Sequence, residues 1–389
     1  MHNAQPYNER GLRPLRVLFV IGGGGLGGIE RHVQCLIENI DRSQIEPHVC
    51  VTFSPGVVSD ALAATGVPVH VIGAPNGHAI KVFSGLLKII QENHIDLVHA
   101  HLLPFMGSVA MCLKSRVPLV VSVHLSRRGK ESLFEKAVHG ILSVVNRRVD
   151  WWLAVSANTL AMSPSFVRAK GEVFFNPIRL PSVLKKEKSW LTNELSVCAD
   201  TLLVGMVGRI EPIDAKDWPA FLRVCTQIVD RCPHVHVVAV GDGGLKATLE
   251  RSAESLQLRG RLHWLGARDD ARRIISGLDV FLLTSKQEEL PTTLLEAMSV
   301  KTPVVGFLPQ GGTVEVLACA EGNEPIALLH EARATEPVVA DVLALLAGPE
   351  KGRAMAERAY RTVEKHFEAR AACRRLVDIY HRVFKDKVG

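Results

Sequence analysis

The sequence predicts an α/β protein built from two doubly wound domains. Short apolar runs rich in β-branched residues alternate with stretches of helical periodicity, which is the pattern of a parallel sheet covered on both faces. The alternation lapses in a polar interval, Lys185 to Asp200, and then begins again. A length of 389 residues also exceeds a single core, since domains usually hold about 100–200 residues.

In chain order, Arg16 to Ile21 is the first strand and ends in glycines. Gly28 to Ile40 then carries Ile29, Val33, Leu36, Ile37 and Ile40 on one helical face. Further strands are expected at His48 to Phe53, Val67 to Ile72, Leu97 to Ala100, Leu119 to Val123 and Trp152 to Val155, with helices at Val82 to Gln91 and Leu133 to Val145. After the polar interval, strands are expected at Leu202 to Val207, His236 to Val240, Leu262 to Leu265, Val280 to Leu283 and Pro303 to Gly306. Arg353 to Phe384 has a helical pattern through Ala359, Val363, Phe367, Leu376, Tyr380 and Phe384. The expected division is 15–180, 181–350, and a helical tail 351–389 that packs back towards the first domain. Two Rossmann-like domains of this kind are expected to face each other across a cleft, because open α/β sheets bind ligands beyond the carboxyl ends of their strands.

Composition excludes several classes. Apolar residues make up 47% and charged residues 22%, an ordinary globular balance rather than a disordered, collagenous or coiled-coil one. The net charge of +6 suits phosphates or an anionic surface but lacks the density of a nucleic-acid binder, so no nucleic-acid partner is expected. Eight cysteines show no CxxC spacing and sit mostly in apolar runs, so they read as buried free thiols of a reducing cytoplasm. Met1 to Pro14 has no apolar core, and no run approaches the ~18–20 apolar residues of a membrane span. Any membrane contact is therefore expected to be peripheral, at the inner face of the cytoplasmic membrane.

The loops after the strands carry the chemistry. Gly22 to Gly28 (GGGGLGG) joins the first strand to the first helix, where backbone N–H groups and the helix dipole favour an anion. A GxGxxG frame is nearly automatic in a run with six glycines. A nicotinamide site also wants an acid at the end of the second strand, and none ends Val49 to Phe53. Arg209 and Lys216 follow a strand of the second half; a planar guanidinium fork and a point charge suit a leaving diphosphate, although two solvated surface cations would read the same way. In Ser285 to Met298 (SKQEELPTTLLEAM), Glu288 ends a strand and Glu296 lies eight residues on, inside an apolar helix. Carboxylates accept hydrogen bonds from vicinal hydroxyls, as on ribose or a hexose. No His, Asp or Glu cluster at ligand spacing stands near these residues, and neither a metal nor another cofactor is expected.

Together these stretches resemble a known family. The order GGxER (Gly27 to Arg31), DxVHAH (Asp96 to His101), VSVH (Val121 to His124), AVS (Ala154 to Ser156), FFNPI (Phe174 to Ile178), GRI…K (Gly208 to Lys216), GDGGL (Gly241 to Leu245), E-x7-E (Glu288, Glu296) and PVVG…GG…E (Pro303 to Glu315) is similar to glycosyltransferase family 4, retaining enzymes of GT-B fold. The resemblance implies that Arg209 and Lys216 neutralise the donor diphosphate without a metal, that Glu296 holds the ribose and that Glu288 sits beside the transferred sugar. It also implies donor contacts from Gly27, Gly28, Gly311 and Gly312, and places His124 near the reaction centre. Three departures stand out: Glu289 where the family usually has glycine, an Arg-to-Lys interval two residues longer through Asp214 and Ala215, and Pro177 in place of a glycine.

The expected activity is transfer of a sugar from a nucleoside diphosphate sugar to a hydroxyl of a glycan or lipid-linked acceptor, in cell-surface polysaccharide or glycolipid assembly. The competing readings are a nicotinamide-dependent oxidoreductase and a non-catalytic sugar-nucleotide binder. One further segment, 126–148, sets six basic residues against Glu131 and Glu135 beside an apolar stripe, the pattern of a basic amphipathic helix on an anionic leaflet.

Overall fold

A computed structural model describes residues 13–25, 27–74, 79–101, 117–124, 148–211, 215–254, 256, 258 and 260–388. The expected helix at Leu133 to Val145 and nearly all of the basic segment 126–148 lie outside the described residues. The chain forms two compact units, 1–179 with 369–389, and 180–368.

The first unit holds a seven-stranded sheet of β1 (Leu15–Ile21), β2 (Ile45–Val51), β3 (Val69–Val71), β4 (Leu97–Ala100), β5 (Leu119–Val123), β6 (Trp151–Ala154) and β7 (Gly171–Val173). Its order is β3-β2-β1-β4-β5-β6-β7, every pair parallel. Helices α1 (Gly28–Asn39), α2 (Val57–Ala64), α3 (Ala79–Glu92), α4 (Ala157–Met162) and α5 (Ser165–Ala169) follow their strands. Alternate side chains of β1 serve opposite faces, as period two requires. Val17, Phe19 and Ile21 pack with Val33, Leu36 and Ile37 of α1, while Leu18 and Val20 pack with Leu86 and Ile90 of α3. A strand buried on both faces is continuously apolar, and that continuity made β1 readable.

The second unit repeats the plan. Its strands β8 (Leu202–Val207), β9 (Val235–Val240), β10 (Leu262–Trp264), β11 (Val280–Leu283), β13 (Val304–Phe307) and β15 (Leu328–His330) form a parallel sheet ordered β10-β9-β8-β11-β13-β15, and β12 (Gln287–Glu288) pairs separately with β14 (Gln310–Gly311). Helices α6 (Lys188–Glu194), α7 (Trp218–Arg231), α8 (Lys246–Glu254), α9 (Ala271–Gly277), α10 (Thr292–Ser299), α11 (Thr313–Ala318), α12 (Thr335–Ala347) and α13 (Pro349–His366) complete it.

Two expectations need correction, and some elements were not expected at all. The polar interval 185–200 forms α6, whose Leu191 is buried and which packs on α9. Single apolar positions suffice there because the helix has only one face to bury. The helical tail is two helices that part company. Helix α13 stays with the second unit against α10, and only α14 (Ala369–Val388) joins the first unit, where Leu376, Val377 and Tyr380 enter its core. The break falls at Phe367-Glu368, and the Ala369 N–H donates to the Ile178 carbonyl (3.0 Å). The cysteines are not uniformly buried. All seven described are free, but Cys198 is exposed and Cys35, Cys232 and Cys319 are half-buried. Strands β7, β12, β14 and β15 had no expectation: each has two or three residues, too few for a periodic signal.

In each sheet the order reverses beside the first strand, between β1 and β4 and between β8 and β11. That reversal opens a crevice at the strand carboxyl ends. The glycine loop and His101 flank it in the first unit; Gly208-Arg209 and Thr284 to Glu288 flank it in the second.

Candidate active site

In the second unit, neighbouring loops bring the charged residues together. Gly208 follows β8, and its N–H donates to the Val240 carbonyl (2.9 Å). The absent Cβ of Gly208 leaves room for the stem of Lys216, whose methylenes would lie about 3.2 Å from such an atom. Lys216 Nζ then donates to Glu288 Oε1 at 2.5 Å, with both side chains mostly out of solvent. Ser285 Oγ donates to the same oxygen (2.7 Å). The longer Arg-to-Lys interval therefore still delivers the lysine. Residues 212–214 lie outside the described residues, but the Lys286 N–H holds the Ala215 carbonyl (2.8 Å), and Thr284 Oγ1 donates to the Lys216 carbonyl (3.0 Å).

Arg209 is exposed, and its guanidinium has no partner among the described residues. Its carbonyl accepts from Trp218 Nε1 (3.0 Å), which ties the loop to the start of α7. Asp217 caps that helix, accepting from the Ala220 N–H (3.2 Å) with φ of +47°. An Asp tolerates this left-handed conformation better than most residues. A pinned backbone under an unpaired guanidinium is the arrangement needed to receive an anion without breaking an existing pair.

Glu288 is fixed from behind by the β12–β14 pair. The Gly312 N–H donates to the Glu288 carbonyl (2.9 Å), and the Gln310 N–H to the Lys286 carbonyl (2.9 Å). Gly311 has φ of +115°, and a Cβ there would collide with the Glu288 carbonyl oxygen. Glycine is thus required twice over, by conformation and by close approach. Glu289, placed where the family has glycine, is buried at 8% exposure and accepts from Gln287 Nε2 (2.8 Å), so it is bound into its own loop. Glu296 is half-buried on α10, between the buried pairs Leu294/Leu295 and Ala297/Met298.

In the first unit, the glycine loop is shaped by packing. The Gly24 N–H donates to the Ser54 carbonyl (2.9 Å), and a Cβ on Gly24 would collide with Ser59 Oγ. Gly27 caps α1, and the Glu30 carboxylate folds back to where a Gly27 Cβ would stand; Gly28, the first helical residue, is open. The helix N-terminus already faces a carboxylate of its own chain. At the end of β2, Thr52 Oγ1 donates to the Ile21 and Gly22 carbonyls (3.2 and 3.3 Å) in the place where a nicotinamide site would carry its acid.

His124 follows β5 and is half-buried. It belongs to a histidine group that sequence spacing did not reveal, with His32 on α1, His99 on β4 and His101 just after it. His101 Nδ1 lies 3.2 Å from His124 Nε2. His99 is fully bonded, Nδ1 to the Tyr380 hydroxyl (2.6 Å) and Nε2 to Ser122 Oγ (2.8 Å). Burial pushes the His124 pKa down to about 4 and that of His99 to about 3, and it holds His32 and His101 well below the ordinary value. All four rings are therefore neutral near pH 7.

Two doubly wound domains, the second with cationic and acidic loops at its switch point, define a glycosyltransferase of GT-B fold. Residues 26–180 match Glycosyltransferase Family 4 and residues 194–362 match Glycosyl transferases group 1. The chain belongs to glycosyltransferase family 4. It is 22% identical over 317 residues to the N-acetyl-alpha-D-glucosaminyl L-malate synthase of Bacillus anthracis, covering 78% of this chain and 79% of that one. It is 24% identical over 320 residues to the 2-deoxystreptamine N-acetyl-D-glucosaminyltransferase of Streptomyces fradiae, covering 74% and 76%. Anabaena Alr3699/HepE, solved in complex with UDP and glucose, superposes with a TM-score of 0.78 at 21% identity over 95% of this chain and all of that one. Among the described residues no helix is long and apolar enough to cross a membrane.

Proposed function

We propose that this glycosyltransferase is a retaining, metal-independent enzyme that moves a hexose-type sugar from a nucleoside diphosphate donor to a hydroxyl acceptor in polysaccharide or glycolipid assembly. The observation that carries the reading is the Lys216–Glu288 pair beside an Arg209 that has no partner among the described residues, at the switch point of the second sheet. Diphosphate departure leaves negative charge that Arg209 and Lys216 meet, and fixed charges aimed at developing charge are usually the largest catalytic term. Glu296 accepts from the ribose hydroxyls. Backbone N–H groups of Gly311 and Gly312, with Gly27 and Gly28 of the first unit, bind the donor. Glu288 and His124 act at the transferred sugar, and the acceptor hydroxyl attacks from the face the diphosphate leaves. The UDP and glucose bound by Alr3699/HepE support a nucleotide-sugar donor, and the two glucosaminyltransferase relatives support an acetamido sugar among the candidates.

Thermal shift against UDP-, GDP- and ADP-sugars tests the donor, because a ligand bound by the native state alone raises Tm. Release of the nucleoside diphosphate with an acceptor, and the anomeric configuration of the product by NMR, test the reaction. Donor binding without turnover on any hydroxyl acceptor would leave a sugar-nucleotide binder. An inverted anomer would overturn the retaining assignment.

The basic segment 126–148 is proposed to hold the enzyme at an anionic leaflet, where each cation adds ~1 kcal/mol. Sedimentation with anionic vesicles at low and high salt tests it. No binding at low salt, where screening is weakest, favours an acceptor free in solution.

A further inference from the structure

The first unit gathers a histidine group of which the proposed reaction uses only His124. One ring nitrogen from each of His32, His101 and His124 lies within 4.8 Å of the other two. His32 and His101 are 4% and 1% exposed. Hydrogen bonding accounts for part of the arrangement, since His101 Nδ1 and His124 Nε2 share a proton at 3.2 Å. It leaves His32 Nδ1 buried without a partner among the described residues. An unsatisfied buried polar atom costs about 1–3 kcal/mol.

The geometry points to a binding site for a transition-metal ion of the zinc, cobalt or nickel class, held by His32, His101 and His124. Three imidazoles, with no carboxylate or thiolate among them, suit these ions rather than magnesium or calcium. Ligation needs neutral rings, and burial keeps all three neutral. The 3.2 Å between His101 Nδ1 and His124 Nε2 is close to the edge of a tetrahedron with zinc–nitrogen bonds of ~2.0–2.1 Å, which is about 3.4 Å. An ion there takes a lone pair from each ring, and the ring that donated the shared proton carries it on its other nitrogen instead. His32 closes on it from α1, over roughly 1.5 Å at most given such bond lengths. His99 stays out of the set because both its nitrogens are already bonded, and its ring, 4.0 Å from that of His101, forms a fixed wall behind the site. A filled site also withdraws His124 from the transfer reaction, so zinc inhibits; this last step rests on the proposed function.

The test uses the full chain, stripped with EDTA and desalted, then titrated with Co²⁺ while visible absorption is followed. One Co²⁺ per chain with the intense bands of a tetrahedral site is expected, displaced by Zn²⁺ but not by Mg²⁺. His32→Gln and His101→Gln should each weaken binding on the order of 10-fold or more, with circular dichroism unchanged. His48→Gln, which alters a buried histidine stacked on His70 instead, should not. No visible bands from folded wild type, or affinity indifferent to His32→Gln and His101→Gln, overturns the proposal. The readings separate cleanly. A stripped enzyme that transfers sugar but binds no Co²⁺ sinks the metal site, whereas one that binds Co²⁺ but never transfers sinks the activity.

Discussion

The two units use one topology for opposite chemistry. In the second, the loops at the switch point carry acidic and basic side chains: Arg209, with no partner among the described residues, and Lys216 bonded to Glu288 at 2.5 Å. In the first, the residues on β4 and just after β4 and β5 are imidazoles that burial keeps uncharged, with His124 at about 4 and His99 at about 3. The parallel sheet therefore decides where functional groups stand, and burial decides which charge they keep. A cluster sunk behind a strand end loses its charge to desolvation.

The largest expected effect breaks the charged side. Arg209→Ala should lower kcat on the order of 10²-fold or more, since it removes a stabiliser of charge that grows in the transition state, while circular dichroism stays unchanged. A variant within about threefold of wild type would remove Arg209 from the mechanism.

Next comes the neutral side. The folded pKa values of His32, His99, His101 and His124 lie below the unfolded value near 6.5, so the unfolded chain binds more protons in acid. Their contribution is complete above about pH 6.5 and is lost as the pH falls towards about 4 and then about 3. Tm should therefore drop steeply below pH 6.5, and hydrogen exchange at pH 5 should rise at β4 and β5 before β8 and β11. A flat Tm from pH 7 to pH 4.5 would mean that these rings are solvated.

Backbone geometry sharpens the comparison further. Gly311→Ala forces a Cβ into a positive-φ position against the Glu288 carbonyl, a strain of about 1–3 kcal/mol. Chemical denaturation should show that loss, and turnover should fall with it because Glu288 moves. Wild-type stability in this variant would mean that the β12–β14 pairing is not what positions Glu288.

A double-mutant cycle of Lys216→Met and Glu288→Gln should return a coupling of about 1–3 kcal/mol in stability, the range for hydrogen bonds between charged groups. Coupling near zero would show that the pair is solvated. The smallest expected effect is on the metal side: EDTA should not lower the transfer rate, because Arg209 and Lys216 already supply the cations that the diphosphate needs. Activity lost in EDTA and restored by Mn²⁺ or Mg²⁺ would contradict this.

Much was legible in the residues alone. Leu97 to Ala100, Leu119 to Val123, Leu202 to Val207 and Val280 to Leu283 read to the residue, because central parallel strands are buried on both faces and so are apolar without interruption. The order of loops was legible for the same reason: once strands are placed, the residues after them are fixed in the crevice. The GG pair at Gly311 and Gly312 was visible as a motif, but its mechanical reason, a backbone passing the Glu288 carbonyl too closely for any side chain, was not.

What only the tertiary structure decided depends on contacts between residues far apart in sequence. Lys216 and Glu288 are 72 positions apart and looked like separate tools for diphosphate and sugar; the adjacency of β8 and β11 makes them a pair. The transfer of α14 to the first unit, where Tyr380 bonds a histidine 281 positions earlier, has no local signature, since an amphipathic helix specifies a face and not a partner. The convergence of His32, His101 and His124 is of the same kind. Each is unremarkable on its own element, and only the order β1-β4-β5, with α1 laid across it, sets their ring nitrogens within reach of one another. Local periodicity fixes elements because neighbours in sequence share solvent exposure; pairing across a sheet is fixed by how whole elements bury one another.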